Sequence, residues 1–135
     1  MEKIVELFEK DKFAKSCGIQ IAEVRSGYAE CTMTVTENHL NGIDILMGGA
    51  LFTLADFTFS LAANSHGTIA VTLNASISYL QKCSGGKITA IAKEVFRTEK
   101  TGLYRVSIND EADRLLAEVS GKSLCPHSDF VKELP

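Results

Sequence analysis

At 135 residues and 45% hydrophobic content, the chain can build one continuous core and is too short for two, so a single domain over residues 1–135 is expected. A net charge of -3, with 23% charged residues and basic side chains such as Lys82, Lys87, Arg97, Lys100 and Arg105 scattered along the second half, argues against a nucleic-acid partner. Cys17, Cys31, Cys83 and Cys125 form no C-x-x-C pair, which suits the reduced thiols of a cytoplasmic protein; Cys125 and His127 are two ligand types where a structural zinc needs four, so no metal is expected.

The first residues, MEKIVELFEKDKF, set Ile4, Val5, Leu7 and Phe8 among alternating charges. That pattern predicts a short amphipathic helix and not the apolar segment of a signal peptide. Residues 17–25 read as an irregular strand, Ser26-Gly27 as a tight turn, and residues 28–36, YAECTMTVT, as a half-buried strand with Ala29, Cys31, Met33 and Val35 on one face.

From Gly48 to Ser65 the text becomes GGALFTLADFTFSLAANS, apolar or small on almost every helical face. This predicts a helix of roughly 27 Å, enclosed by protein on most sides and ended by Gly67. Residues 45–63 are apolar enough to weigh a membrane span, but Asp56 would sit at mid-bilayer at a cost of ~2.5–3.5 kcal/mol, and the flanking period-two strands need a sheet partner. No membrane association is expected.

Residues 69–80 alternate most cleanly, with Val71, Leu73, Ala75, Ile77 and Tyr79 expected on one face and Thr72, Asn74, Ser76 and Ser78 on the other. Three further strands are predicted over 87–97, 103–109 and 114–124, separated by Ser84-Gly85-Gly86, Lys100-Thr101-Gly102 and a polar turn at Asp110 to Asp113. Such strands have one apolar face to cover, and only the helix from Gly48 can cover it. The expected class is therefore α+β: an antiparallel sheet of about five to six strands wrapped around one long central helix, with a short N-terminal helix.

Between Asp44 and Lys82 one residue carries a formal charge at neutral pH, and it is Asp56, in mid-helix. Asp is a poor helix former and an unpaired carboxylate is costly to desolvate, so packing alone rarely selects it there. A partly exposed or salt-bridged Asp, or one bonded to a neighbouring Ser or Thr, would be the structural explanation. At the helix start, Met47-Gly48-Gly49 offers amides with no internal acceptor and the positive end of the macrodipole, suited to polarising a carbonyl oxygen, although paired glycines there are also common for steric reasons. Gly48 and Asp56 lie roughly 12 Å apart along one axis, too far for one helix to bring both to a reacting group. Two copies with antiparallel helices would set Gly48 of one level with Asp56 of the other, with Phe52 near the twofold axis, so the site requires a homo-oligomer.

The run NGIDILMGGALFTLAD from Asn41 to Asp56 resembles the signature of hotdog-fold thioesterases of the phenylacetate-degradation type, in which Asn is followed six residues on by His-Gly-Gly and then by Leu-Ala-Asp. The later segments NASISYLQ and KTGLYRV are similar to the same family, so the resemblance covers nearly the whole chain. It implies a hotdog fold, no cofactor, and hydrolysis of an acyl-CoA thioester to free acid and CoA by a homodimer, or a dimer of dimers. It implies Asp56 as nucleophile or general base, the Gly48 amide on the thioester oxygen, and Asn41 positioning water or carbonyl across the dimer interface. Thr72 matches a position where some relatives carry Ser near the acidic residue. Met47 and Gly49 border the oxyanion site, and Lys100 and Thr101 match a region near the CoA nucleotide.

Taken alone, Asn41-Gly42 is a turn and Thr72 a polar strand face. One departure stands out: Met47 occupies the place of the family's His, which removes a polar group but leaves the backbone donor. His39, His66 and His127 are read as loop or surface residues. The competing reading is a non-catalytic hotdog module that binds acyl-CoA. A dehydratase would need a His beside the carboxylate, and no G-x-S-x-G elbow, phosphate loop or dinucleotide fingerprint is present.

Overall fold

The alternation over residues 28–36 becomes a strand whose inner side chains, Ala29, Cys31 and Met33, are buried. In the computed structural model, which describes residues 1–125, the chain runs α1 (Glu2–Glu9), α2 (Lys12–Ser16), β1 (Gln20–Arg25), β2 (Tyr28–Val35), a 3-10 turn (Glu37–His39), α3 (Gly48–Asn64), β3 (Val71–Tyr79), β4 (Gly86–Arg97), β5 (Thr101–Asn109) and β6 (Leu115–Leu124). The strands form one six-stranded antiparallel sheet in the order β1-β2-β4-β5-β6-β3. This is the expected α+β arrangement, a sheet curled around α3.

Inner side chains of the sheet, among them Ile88, Ala90 and Ala92 of β4 and Val106 and Ile108 of β5, are fully buried, as are Leu54, Ala55, Phe59 and Leu61 of α3. Each large side chain of α3 so covered stabilises the fold by ~1.5–3 kcal/mol. The alanines of β2 and β4 let the helix approach closely. Gly121 does the same on β6, since a Cβ there would lie 3.0 Å from the Phe59 ring. At its far end α3 is tied down by Ser65, whose hydroxyl donates to Ala62 O at 2.6 Å and accepts from Gly27 N in the β1–β2 turn at 2.8 Å. Gly67, at φ +85°, then turns the chain toward β3.

Three features differ from the sequence expectation. The N-terminal segment is two helices, because Asp11 accepts from Ala14 N at 3.0 Å and starts α2 as its N-cap. β1 therefore begins at Gln20, after a turn at Gly18 with φ +80°, and not at Cys17. In β3 the pairing with β6 slips between Thr72 and Asn74. Thr72 thus pairs with buried Ser123, on the helix side of the sheet with Ala75, Ile77 and Tyr79, and Val71 falls on the outer side with Leu124. Among the described residues no helix is long and apolar enough to cross a membrane.

Candidate active site

α3 starts without a side-chain cap. Met47 is its N-cap, extended at φ -66°, ψ 139°, and its thioether accepts nothing from the helix. The Ala50 and Leu51 amides bond to Met47 O, which leaves the Gly48 and Gly49 N–H groups without an acceptor among the described residues. The start is held in place from three sides: Met47 N donates to His39 O at 2.9 Å, Leu46 N donates to Cys83 O at 2.8 Å, and the Tyr79 hydroxyl donates to Gly48 O at 3.2 Å. A Cβ on Gly48 would stand 3.0 Å from the Tyr79 ring, whereas one on Gly49 would meet only the Met47 side chain, at 3.5 Å. Of the two glycines, Gly48 is therefore the more closely approached, by a side chain that is itself half exposed. Two free donors at the positive end of a helix are an anion or carbonyl-oxygen site.

Two residues shape the approach to this site. Asn41 Oδ1 accepts from Ile43 N at 3.0 Å and Ile45 N at 3.1 Å, so its side chain holds the loop that enters α3, and its NH2 has no partner among the described residues. His39 lies in the connection between β2 and α3, as its loop reading expects, but it is buried there and not on the surface. Its Nδ1 accepts from Thr36 N at 2.9 Å, so the proton sits on Nε2, which donates to Cys17 O at 2.8 Å.

Asp56 projects from the one incompletely covered stripe of α3, with Phe52, Thr53 and Ser60. It borders a cavity of about 140 Å³ whose walls include Phe8, Asp11, Phe13 and Phe57. Its carboxyl has no hydrogen-bond or ion-pair partner among the described residues, so the salt-bridged and Ser/Thr-bonded alternatives do not hold, whereas the side chain is partly exposed, as the third alternative expects. Burial pushes it above the usual carboxylate range, and the Asp11 charge pushes the same way. A carboxylate with raised proton affinity and no competing donor is suited to taking a proton from water.

The remaining candidates lie toward the other end of α3. The bulge in β3 sets Thr72 on the helix-side face of the sheet, still exposed at this edge, where strict alternation had placed it on the outer face. Lys100 is exposed at the β4–β5 turn. The Thr101 hydroxyl is committed to that turn through Thr98 Oγ1 at 2.7 Å, and Thr101 O accepts from Thr98 N at 2.8 Å. Thr101 borders Ala63 near the C-terminal end of α3, whereas Gly48 rests on Tyr79 at the opposite end. One protomer therefore spreads Asn41, Met47, Gly48 and Gly49 at one end of the helix, Asp56 at its middle, and Thr72, Lys100 and Thr101 toward the far end.

Other reactive groups are structurally occupied. His66 lies in the turn after α3, as its loop reading expects, and is half-buried; its Nε2 lies 2.6 Å from Glu94 Oε1, which also accepts from the Tyr104 hydroxyl at 3.0 Å. Cys31 lies under α3, where burial pushes its thiol up to about 11 and leaves it protonated. No three potential metal ligands cluster among the described residues, and His127 lies outside them.

Residues 44–117 match the thioesterase superfamily. Escherichia coli PaaI, an acyl-coenzyme A thioesterase, is 38% identical over 118 residues, which cover 87% of this chain and 84% of that protein. A putative esterase of Archaeoglobus fulgidus is 36% identical over 92% of this chain and 81% of its own length. The E. coli PaaI structure superposes with a TM-score of 0.88, covering 92% of this chain and 91% of that one at 36% identity. A hypothetical thioesterase of Streptococcus pneumoniae, solved with coenzyme A, superposes with a TM-score of 0.82 at 27% identity, covering 89% and 94%.

Proposed function

Because this chain belongs to the thioesterase superfamily and is an acyl-CoA thioester hydrolase, we propose that its active site is shared between two subunits, with Asp56 of one acting on a thioester held by Gly48 of the other. The observation that carries this reading is the pairing of an unpartnered, half-buried Asp56 with unpartnered amides at the start of the same helix, too far along it to meet. With a second α3 antiparallel to the first, the start of one helix lies against the middle and far end of the other. Asp56, Thr72 and the Lys100–Thr101 turn of one chain then share a site with Asn41, Met47, Gly48 and Gly49 of its partner. Edge strand β3 supports the pairing: Val71 and Leu73 are 48% and 50% exposed, and the strand has a neighbour on one side only. Long apolar edges need cover, and a second β3 supplies it about the same twofold axis. Phe52 would lie near that axis.

In this mechanism Asp56 takes a proton from water as the water attacks the thioester carbonyl. Negative charge develops on the carbonyl oxygen and is met by the Gly48 amide of the partner subunit, with Gly49 beside it. The intermediate collapses, the C–S bond breaks, and the CoA thiolate leaves with the proton that Asp56 held. The Asn41 NH2 is free to orient water or carbonyl, and the helix-side Thr72 hydroxyl to steady the attacking water. Lys100 suits the CoA phosphates. Phe96 and Leu103, paired across β4 and β5 and exposed on the outer face, offer a patch on which dimers would pair into a dimer of dimers. The unpaired thiols of Cys17, Cys31 and Cys83 suit the cytoplasm.

Met47 in place of the family's His favours the other reading, a non-catalytic acyl-CoA binder. Steady-state hydrolysis of a panel of acyl-CoA esters by wild type and Asp56→Asn separates the two. The thioesterase reading expects Asp56→Asn to lower kcat by about 10²-fold or more while CoA-ester binding persists. Equal, slow hydrolysis by both proteins with tight binding would establish the binding module instead.

A further inference from the structure

The cavity beside Asp56 is walled as much by the N-terminal helices as by α3: Phe8, Asp11 and Phe13 face Thr53, Asp56 and Phe57. Among these residues Asp11 and Asp56 are the ionisable pair, and neither makes a salt bridge among the described residues. Asp11 is also immobilised, because its Oδ1 accepts the Ala14 N–H at 3.0 Å as the N-cap of α2. A short helix with a fixed acidic cap has thus been laid beside the reacting carboxylate, where a neutral Ser or Asn would have capped it equally well.

We propose that Asp11 is a positioning residue for the reaction, a negative charge anchored by α2 that sets how strongly Asp56 holds the proton it takes from water. The proposal rests on the reading of Asp56 as the base. Other charges facing Asp56 are few. On α3 and its flanks between Asp44 and Lys82 the titratable side chains besides Asp56 are His66 and Tyr79, at the two ends. The inner faces of β2, β4 and β5 opposite the helix are apolar apart from the neutral Cys31 thiol and, near the far end of α3, the Glu94–Tyr104 pair. Besides Asp11, no charged side chain of α1 or α2 borders the cavity of Asp56. Asp11, itself solvent-exposed, is the other carboxylate on the cavity of Asp56, and its charge acts in the same direction as burial.

The test is the pH dependence of kcat/KM for acyl-CoA hydrolysis by wild type, Asp11→Asn and Asp11→Ser. Both substitutions keep a cap, so thermal midpoints should stay within about 2 °C of wild type. The acid limb should move to lower pH in both, raising activity on that limb about twofold relative to the plateau, and the difference should shrink in about 1 M salt. Should one variant fail to fold, the other carries the comparison. Limbs that coincide with wild type overturn the role of Asp11. Asp56→Asn runs alongside: if it is inactive, an unmoved limb counts against Asp11 alone, and if it is active, the reading of the site falls together with the proposal.

Discussion

Replacing Gly48 by proline deletes one backbone hydrogen at a position built to tolerate it. Gly48 is the first residue of α3, where proline is well accommodated, and its N–H donates to nothing among the described residues. Met47, at ψ 139°, already has the extended backbone that a residue before proline must adopt. The steric cost is shared with Gly48→Ala, because any Cβ meets the Tyr79 ring at 3.0 Å. Tyr79 is 53% exposed and can swing outward, and alanine gains about 0.5–1 kcal/mol of helix propensity, so the alanine variant should fold with near wild-type stability. The ratio of the two variants then isolates the donor. One donor to a developing oxyanion contributes about 2.7–4 kcal/mol, so the proline variant should show kcat about 10²–10³ below the alanine variant. Thiol release from a single acyl-CoA, followed to saturation, measures it. Equal kcat values for the two variants would refute the assignment of the Gly48 amide.

Two further outcomes concern stability. Asp56 has its proton affinity raised in the fold, so the folded state gains from protonation and loses stability as pH rises through the Asp56 titration; Asp56→Asn should therefore melt higher than wild type at neutral pH, with the difference fading in acid, as read from thermal midpoints across pH. Gly121→Ala pushes a methyl to 3.0 Å from the buried Phe59 ring and should lower stability by about 1–3 kcal/mol in urea unfolding, with little change in KM.

Much of this was readable from the chain, for physical reasons that also explain the misses. The β2 alternation and the all-apolar α3 are local patterns, and each dictates its own burial. Asp56 was conspicuous because a charge inside an apolar helix has no local justification. The β3 bulge was invisible, because residues 71–79 alternate without a flaw and only their pairing with β6, more than forty residues on, shows that Thr72 lies on the helix-side face. His39 looked like a surface residue because its partners, Cys17 O and Thr36 N, are backbone groups. Asp11 carried a usable signal, an Asp ahead of a short apolar-charged run, but it was merged into one predicted helix. The Tyr79 contact with Gly48 spans 31 residues and follows from no local rule.

The sharing of one site by two chains can be tested by subunit mixing. Asp56→Asn and Gly48→Pro, each inactive alone, are denatured together and reassembled in equal amounts. A hetero-oligomer pairs the intact Asp56 of one chain with the intact Gly48 of the other, and random pairing should restore about a quarter of wild-type activity. No activity above the sum of the two parents, with mixed oligomers demonstrably formed, would contradict a site built across the twofold axis.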